Sequence, residues 1–176
     1  MGLRFRDLRA EEIECRVGTV SQSGKGISLL LFKDARCDAR ILDETVGIEN
    51  WQNDFYECKG TLFCKVGIDV DRGDGLHEWV WKSDAGSPSN MEAEKGEASD
   101  AFKRACFKWG IGRELYTAPF IWVPADKCNI KQGKNGKWTC YDRFRVAKVA
   151  IEGGRIRGLR IVNAKTGAIA FSWKEG

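Results

Sequence analysis

The sequence predicts an α+β fold: an antiparallel β-sheet packed on a long amphipathic helix, followed by a C-terminal three-strand meander. Three patterns predict it. Leu62, Cys64, Val66, Ile68 and Val70 alternate with Thr61, Phe63, Lys65, Gly67 and Asp69, the period of two of a half-buried strand. Ala98, Phe102, Ala105 and Trp109 recur at helical spacing and form one apolar stripe within 95–110. Residues 138–149, 155–162 and 168–173 read as strands, separated by turns at Glu152-Gly153-Gly154 and at Ala164-Lys165-Thr166-Gly167.

In chain order, 8–16 reads as a short helix, and Ser28 to Phe32 as a short buried strand after a Gly-rich turn. Asp38 to Val46 is helical, with Gly47 as the stop. Phe55–Glu57, Thr61–Val70 and His77–Trp81 make a β run, turned at Asp71-Arg72-Gly73-Asp74-Gly75. Ser83 to Asn90 reads as a loop, with Ser89 or Asn90 as N-cap of the long helix. Ile121 to Pro124 closes that half, and Lys131 to Lys137 is a basic, turn-rich loop. Trp51, Trp79, Trp81 and Trp109 read as core packing before they read as base platforms.

At 176 residues the chain predicts a single domain, and 43% hydrophobic with 31% charged residues is ordinary for a globular protein. No apolar N-terminal run and no stretch of about 18 apolar residues is present, so neither a signal peptide nor a membrane span is expected. Seven scattered cysteines without C-x-x-C spacing, beside one histidine, read as reduced thiols of a cytoplasmic protein. The net charge of +4 is uneven. Residues 124–176 carry twelve Lys/Arg against four acids, which leaves residues 1–123 net acidic. A basic C-terminal third suits a polyanionic partner, as it also suits strands with wet cationic faces.

Several catalytic motifs fail. Ser23-Gly24-Lys25-Gly26 lacks the first glycine of a phosphate loop, since Thr19 stands there, and Gly26 replaces the Ser/Thr that would hold magnesium. In Asp69 to Gly75, Gly73 occupies a position where a calcium loop needs an oxygen ligand. Glu57, Asp69 and Asp71 leave a metal-dependent nuclease as an alternative from the enzyme class. No metal, cofactor or catalytic residue is expected otherwise.

The helix of 95–110 carries the strongest functional signal. With about 100° per residue, Lys103, Phe107 and Arg104 fall about 140°, 180° and 240° from Ala98, opposite the apolar stripe. An aromatic between two cations suits the phosphates and base faces of single-stranded nucleic acid. The same spacing also describes a solvated charged face.

Leu42-Asp43-Glu44-Thr45-Val46-Gly47 through Trp51, together with Lys95 through Gly110, resembles the single-strand annealing proteins of the Rad-fifty-two superfamily, in its small phage and prophage branch. The similarity covers 8–123 and is most specific over Glu97 to Ala105; the basic loop and meander of 124–176 lie outside it. The resemblance implies ATP-independent binding of single-stranded DNA and annealing of complementary strands in homologous recombination and repair, with no catalytic residue. It implies that Lys103 and Arg104 line a groove for the phosphates and that Arg36 matches a further arginine contact. Where the family's eukaryotic members carry a third cation, this chain has Phe107, with Lys108 next. Phe107 is then expected to stack on a base or to pack at a subunit boundary, and Lys108 to cover part of the missing charge. Lys65, Arg72 and Lys82 are candidates for an outer DNA path or are solvated strand residues. The expected partners are single-stranded DNA, further copies of the chain in a ring or filament, and a single-strand binding protein; no membrane is expected. A module that coats single-stranded DNA or RNA without annealing is the alternative from the binding class.

Overall fold

The computed structural model describes residues 2–87 and 93–176. The chain divides into two compact units: Met1–Arg6 with Asp34–Gly112, and Asp7–Lys33 with Arg113–Gly176. Among the described residues the fold is mainly β, with eleven strands against two α-helices.

The first unit contains α1 (Ala35–Val46), β3 (Trp51–Cys58), β4 (Thr61–Asp71), β5 (His77–Ala85) and α2 (Ala93–Trp109). The three strands form an antiparallel meander. Cys64, Val66 and Ile68 of β4 are buried, as are Ala101, Phe102, Ala105 and Cys106 of α2. Alternation puts the first set on one face of β4, and helical spacing puts the second on one side of α2, so burying them together removes both apolar surfaces from water. Trp51 leans on Phe102 with ring centroids 6.0 Å apart, and its Nε1–H donates to Asp43 Oδ1 at 2.7 Å. Trp109 Nε1–H donates to the Val66 carbonyl at 2.9 Å. Gly86 marks a close approach: a Cβ there would lie 2.2 Å from the Glu97 carbonyl oxygen. The α1 N-terminus is capped by Asp34, which accepts the Arg36 amide at 2.8 Å.

The second unit is built on a six-stranded antiparallel sheet in the order β11-β10-β9-β1-β2-β6. Its strands are β1 (Glu14–Val20), β2 (Gly26–Phe32), β6 (Ile121–Pro124), β9 (Phe144–Glu152), β10 (Arg155–Asn163) and β11 (Ile169–Lys174). Ile27, Leu29, Ile121, Val123, Phe144, Val146, Leu159 and Ile161 are among its buried residues. The edge strands β11 and β6 touch, so the sheet curls towards a barrel. Buried Glu114 accepts the Leu8 amide at 2.6 Å, which satisfies a carboxylate that burial would otherwise penalise. A separate two-stranded hairpin joins β7 (Ile130–Gln132) to β8 (Trp138–Cys140).

The expected fold class is thereby corrected. The largest sheet lies in the unit that contains neither α-helix, and the long helix packs on β4 and β5 of the three-stranded sheet and on α1. The C-terminal strands are not an appended meander: β9 pairs with β1, which joins them to β2 and β6. Periodicity marks each strand but not its distant partner, so the sheet order escaped it. The short helix expected over 8–16 is a single 3-10 turn at Ala10–Glu12 followed by β1, because that segment pairs with β2 on one side and β9 on the other. The basic loop at 131–137 is part of the β7–β8 hairpin, and the loop expected from Ser83 starts later because β5 runs to Ala85. The N-cap assigned to Ser89 or Asn90 lies outside the described residues.

Candidate nucleic-acid interface

Burial of the Phe102 and Ala105 stripe leaves Arg104 and Lys108 of α2 exposed, with Lys103 and Phe107 half-buried. Strand register supplies their neighbours. On β5, Lys82 pairs with Val66 and Asp84 with Cys64, so both lie on the sheet face that α2 covers. Asp84 Oδ2 stands 3.8 Å from Arg104 Nε and 3.7 Å from Lys108 Nζ, a single carboxylate between two cations. Lys108 Nζ also donates to the Ser83 carbonyl at 2.7 Å. Lys82 Nζ donates to the Lys108 carbonyl at 3.1 Å and sits 4.7 Å from the centre of the Trp109 ring. A cation at the last carbonyls of α2 complements the negative end of the helix dipole.

Arg36 approaches the same helix from α1. Its Nε and Nη2 donate to Asp34 Oδ2 at 3.0 and 2.6 Å, while its side chain remains 87% exposed. The Asp34 carboxyl is held below its ordinary range by hydrogen bonds from the Arg36 side chain and then the Arg36 amide, with the Lys103 charge contributing least. Asp34 thus stands within the fields of both Arg36 and Lys103.

Lys65 is placed elsewhere. It pairs with Ser83 of β5 and Asp54 of β3, on the sheet face turned away from α2. There its Nζ lies 3.3 Å from Asp54 Oδ2 and 4.9 Å from the Trp81 ring centre. Trp79 and Trp81 share that face, each 40% exposed, so these two indoles are not the core packing that the sequence suggested for them. Lys103, Arg104, Lys108, Lys82 and Phe107 are carried by α2 and the end of β5, Arg36 shares the field of Asp34 with Lys103, and Lys65 stands apart on the other sheet face.

Sequence reasoning missed the two carboxylates. Asp34 had a signal, an aspartate two residues before Arg36 at the start of a helix. Asp84 had none, because only the pairing of β5 with β4 and the docking of α2 bring it to Arg104.

The carboxylates considered for a nuclease do not converge. Glu57 pairs with Leu62 and so lies on the α2 face, whereas Asp69 and Asp71 point to the other face. Asp69 faces His77 at 3.1 Å, and Asp71 accepts the Gly73 amide at 2.7 Å to shape the turn. Among the described residues no group of three or more His, Cys, Asp or Glu is placed to hold a metal ion. No helix among them is long and apolar enough to cross a membrane.

The cations of α2, with Lys82 of β5 and Arg36 of α1, form a basic surface suited to a polyanion. The family model for the Rad52/22 family double-strand break repair protein matches residues 6–135, well over half of the chain. The chain belongs to that family. No curated protein and no solved structure matches it.

Proposed function

We propose that this protein binds single-stranded DNA along the exposed side of α2 and anneals complementary strands without nucleotide hydrolysis. The observation that supports the reading is the pairing of these cations with two carboxylates, Arg104 and Lys108 beside Asp84, and Arg36 and Lys103 in the field of Asp34. Exposed ion pairs of this kind contribute about 0–1 kcal/mol, so a phosphate can recruit these cations at little cost. Family membership supports a role in double-strand break repair.

The backbone phosphates of one strand occupy this surface with the bases turned outward, where a second strand tests its pairing. Base pairing supplies the free energy, and the protein's cations offset the repulsion between phosphates. The Gly-rich segment around Gly24 closes a hairpin between antiparallel β1 and β2, unlike a phosphate loop that leads from a strand into a helix. The annealing activity belongs to the whole chain, 1–176, working as a homo-oligomeric ring or filament in the cytoplasm and taking strands that a single-strand binding protein has covered.

The test is the rate at which two complementary labelled oligonucleotides pair, with and without protein, in the absence of nucleotide. The native chain accelerates pairing, and the folded Lys103→Ala/Arg104→Ala variant does not. Tight binding with slowed pairing would make the protein a coating module instead.

A further inference from the structure

The β7–β8 hairpin presents a second cationic and aromatic surface that the site on α2 does not use. Lys127, Lys131, Lys134 and Lys137 are all exposed, and residues 127–141 contain no acid. The register pairs Ile130 with Cys140, Lys131 with Thr139 and Gln132 with Trp138. One face is anchored. Trp138 lies over Gly24, where a Cβ would come within 2.7 Å of the indole. Alternation puts Trp138, Cys140, Ile130 and Gln132 on that side and Lys131 and Thr139 on the other, with exposed Lys137 and Tyr141 directly before and after β8. Lys137 keeps the ladder going, since its carbonyl accepts the Gly133 amide at 2.9 Å. Tyr141 is 85% exposed, an extreme value for a large aromatic ring.

Strands of three residues are marginal by themselves, but this hairpin is tied at several points. Gln132 Nε2 donates to the Gly136 carbonyl at 3.1 Å, and the Lys137 amide donates to Asn135 Oδ1 at 3.1 Å. The acid that follows, Asp142, accepts the Asn129 amide at 2.7 Å, which ties its carboxylate to the hairpin base. The outer face is therefore held in place while remaining wet.

We infer that the outer face of the β7–β8 hairpin is a second binding surface for single-stranded nucleic acid, with phosphates on Lys131 and Lys137 and a base stacked on Tyr141. This rests on the reading of the protein as a single-strand binder and adds a site outside α2. Charge complementarity commits the surface to a polyanion, and an exposed ring beside the cations commits it to a ligand with an accessible π-face. A lipid surface would need a broad apolar side, and among the described residues Tyr141 is the one exposed large hydrophobic within 127–141.

The experiment measures binding of fluorescent oligo-dT across a salt series for the native chain, Lys103→Ala/Arg104→Ala, Lys131→Ala/Lys137→Ala, Tyr141→Ala and Tyr141→Phe. The hairpin double variant lowers the log–log salt slope by about 1.4, or about 0.7 for each phosphate no longer neutralised. Tyr141→Ala weakens binding about tenfold with an unchanged slope, and Tyr141→Phe binds like the native chain. The hairpin positions are exposed, so equal melting temperatures certify the fold. If the hairpin variants bind like the native chain while the α2 variant is impaired, the hairpin inference falls and the α2 reading stands. If the α2 variant binds normally and the hairpin variants do not, the α2 reading falls and the hairpin is the principal site. Loss of binding to phosphatidylserine vesicles in the hairpin variants, with DNA affinity intact, would overturn the inference in favour of a lipid surface.

Discussion

Asp84 decides how much positive field the α2 surface offers. It lies within 4 Å of both Arg104 and Lys108, so a phosphate approaching either cation meets its negative charge. Asp84→Asn is expected to tighten binding to single-stranded DNA several-fold at low salt, with the gain shrinking as screening increases. The ion pairs it removes are partly exposed, so stability should change by less than about 1 kcal/mol. An unchanged affinity would mean that the strand does not pass Arg104 and Lys108. Phe107 poses the complementary question, because its ring is half-buried rather than facing open water. As a base platform, Phe107→Ala weakens DNA binding and leaves the salt slope intact. A collapse of the melting temperature would instead place the ring in the packing of the first unit.

At the scale of elements, the position of α2 depends on approaches too close to tolerate a side chain. Gly86 follows β5, and any Cβ there meets the Glu97 carbonyl at 2.2 Å, a backbone atom that cannot swing aside. Glu97 also receives the Leu62 amide at 3.3 Å, tying the helix to the start of β4. Gly86→Ala is therefore expected to destabilise the protein by about 1–3 kcal/mol, the usual range for overpacking. It should weaken DNA binding too, since moving the helix moves Lys103 and Arg104. Urea unfolding monitored by tryptophan fluorescence measures the first effect, and unfolding that matches the native chain would show that α2 tolerates displacement. The helix and its cationic side were legible in the sequence because both follow from local spacing. The expected helix at 8–16 shows the limit of that method, since the pairing of β1 between β2 and β9 overrides any local preference there.

For the whole molecule, the thiols forecast its behaviour in alkali. Burial pushes Cys15 up to about 12 and Cys64 and Cys128 up to about 11, from an ordinary value of 9.0. The unfolded chain loses these protons first, so their contribution to stability is complete below pH 9 and disappears as pH rises through about 11–12. Urea midpoints of the reduced protein should fall from pH 9 upward, and fall less in a folded Cys64→Ala variant. Equal slopes in the two proteins would show that Cys64 contributes nothing to the loss.

Features that depend on near neighbours were readable from the chain alone: the alternation of β4, the stripe and cations of α2, and the family resemblance over 8–123. Residues a few positions apart share a face because backbone geometry repeats, so those features are local. Packing between distant segments settled the rest: that the fold is mainly β, that the C-terminal strands pair with β1, and that Lys65 lies on the opposite face of the sheet from Lys82. It also brought Asp34 and Asp84 to the cations of the candidate site. Those outcomes follow from strand register and from the burial of whole faces, which no single stretch of residues specifies.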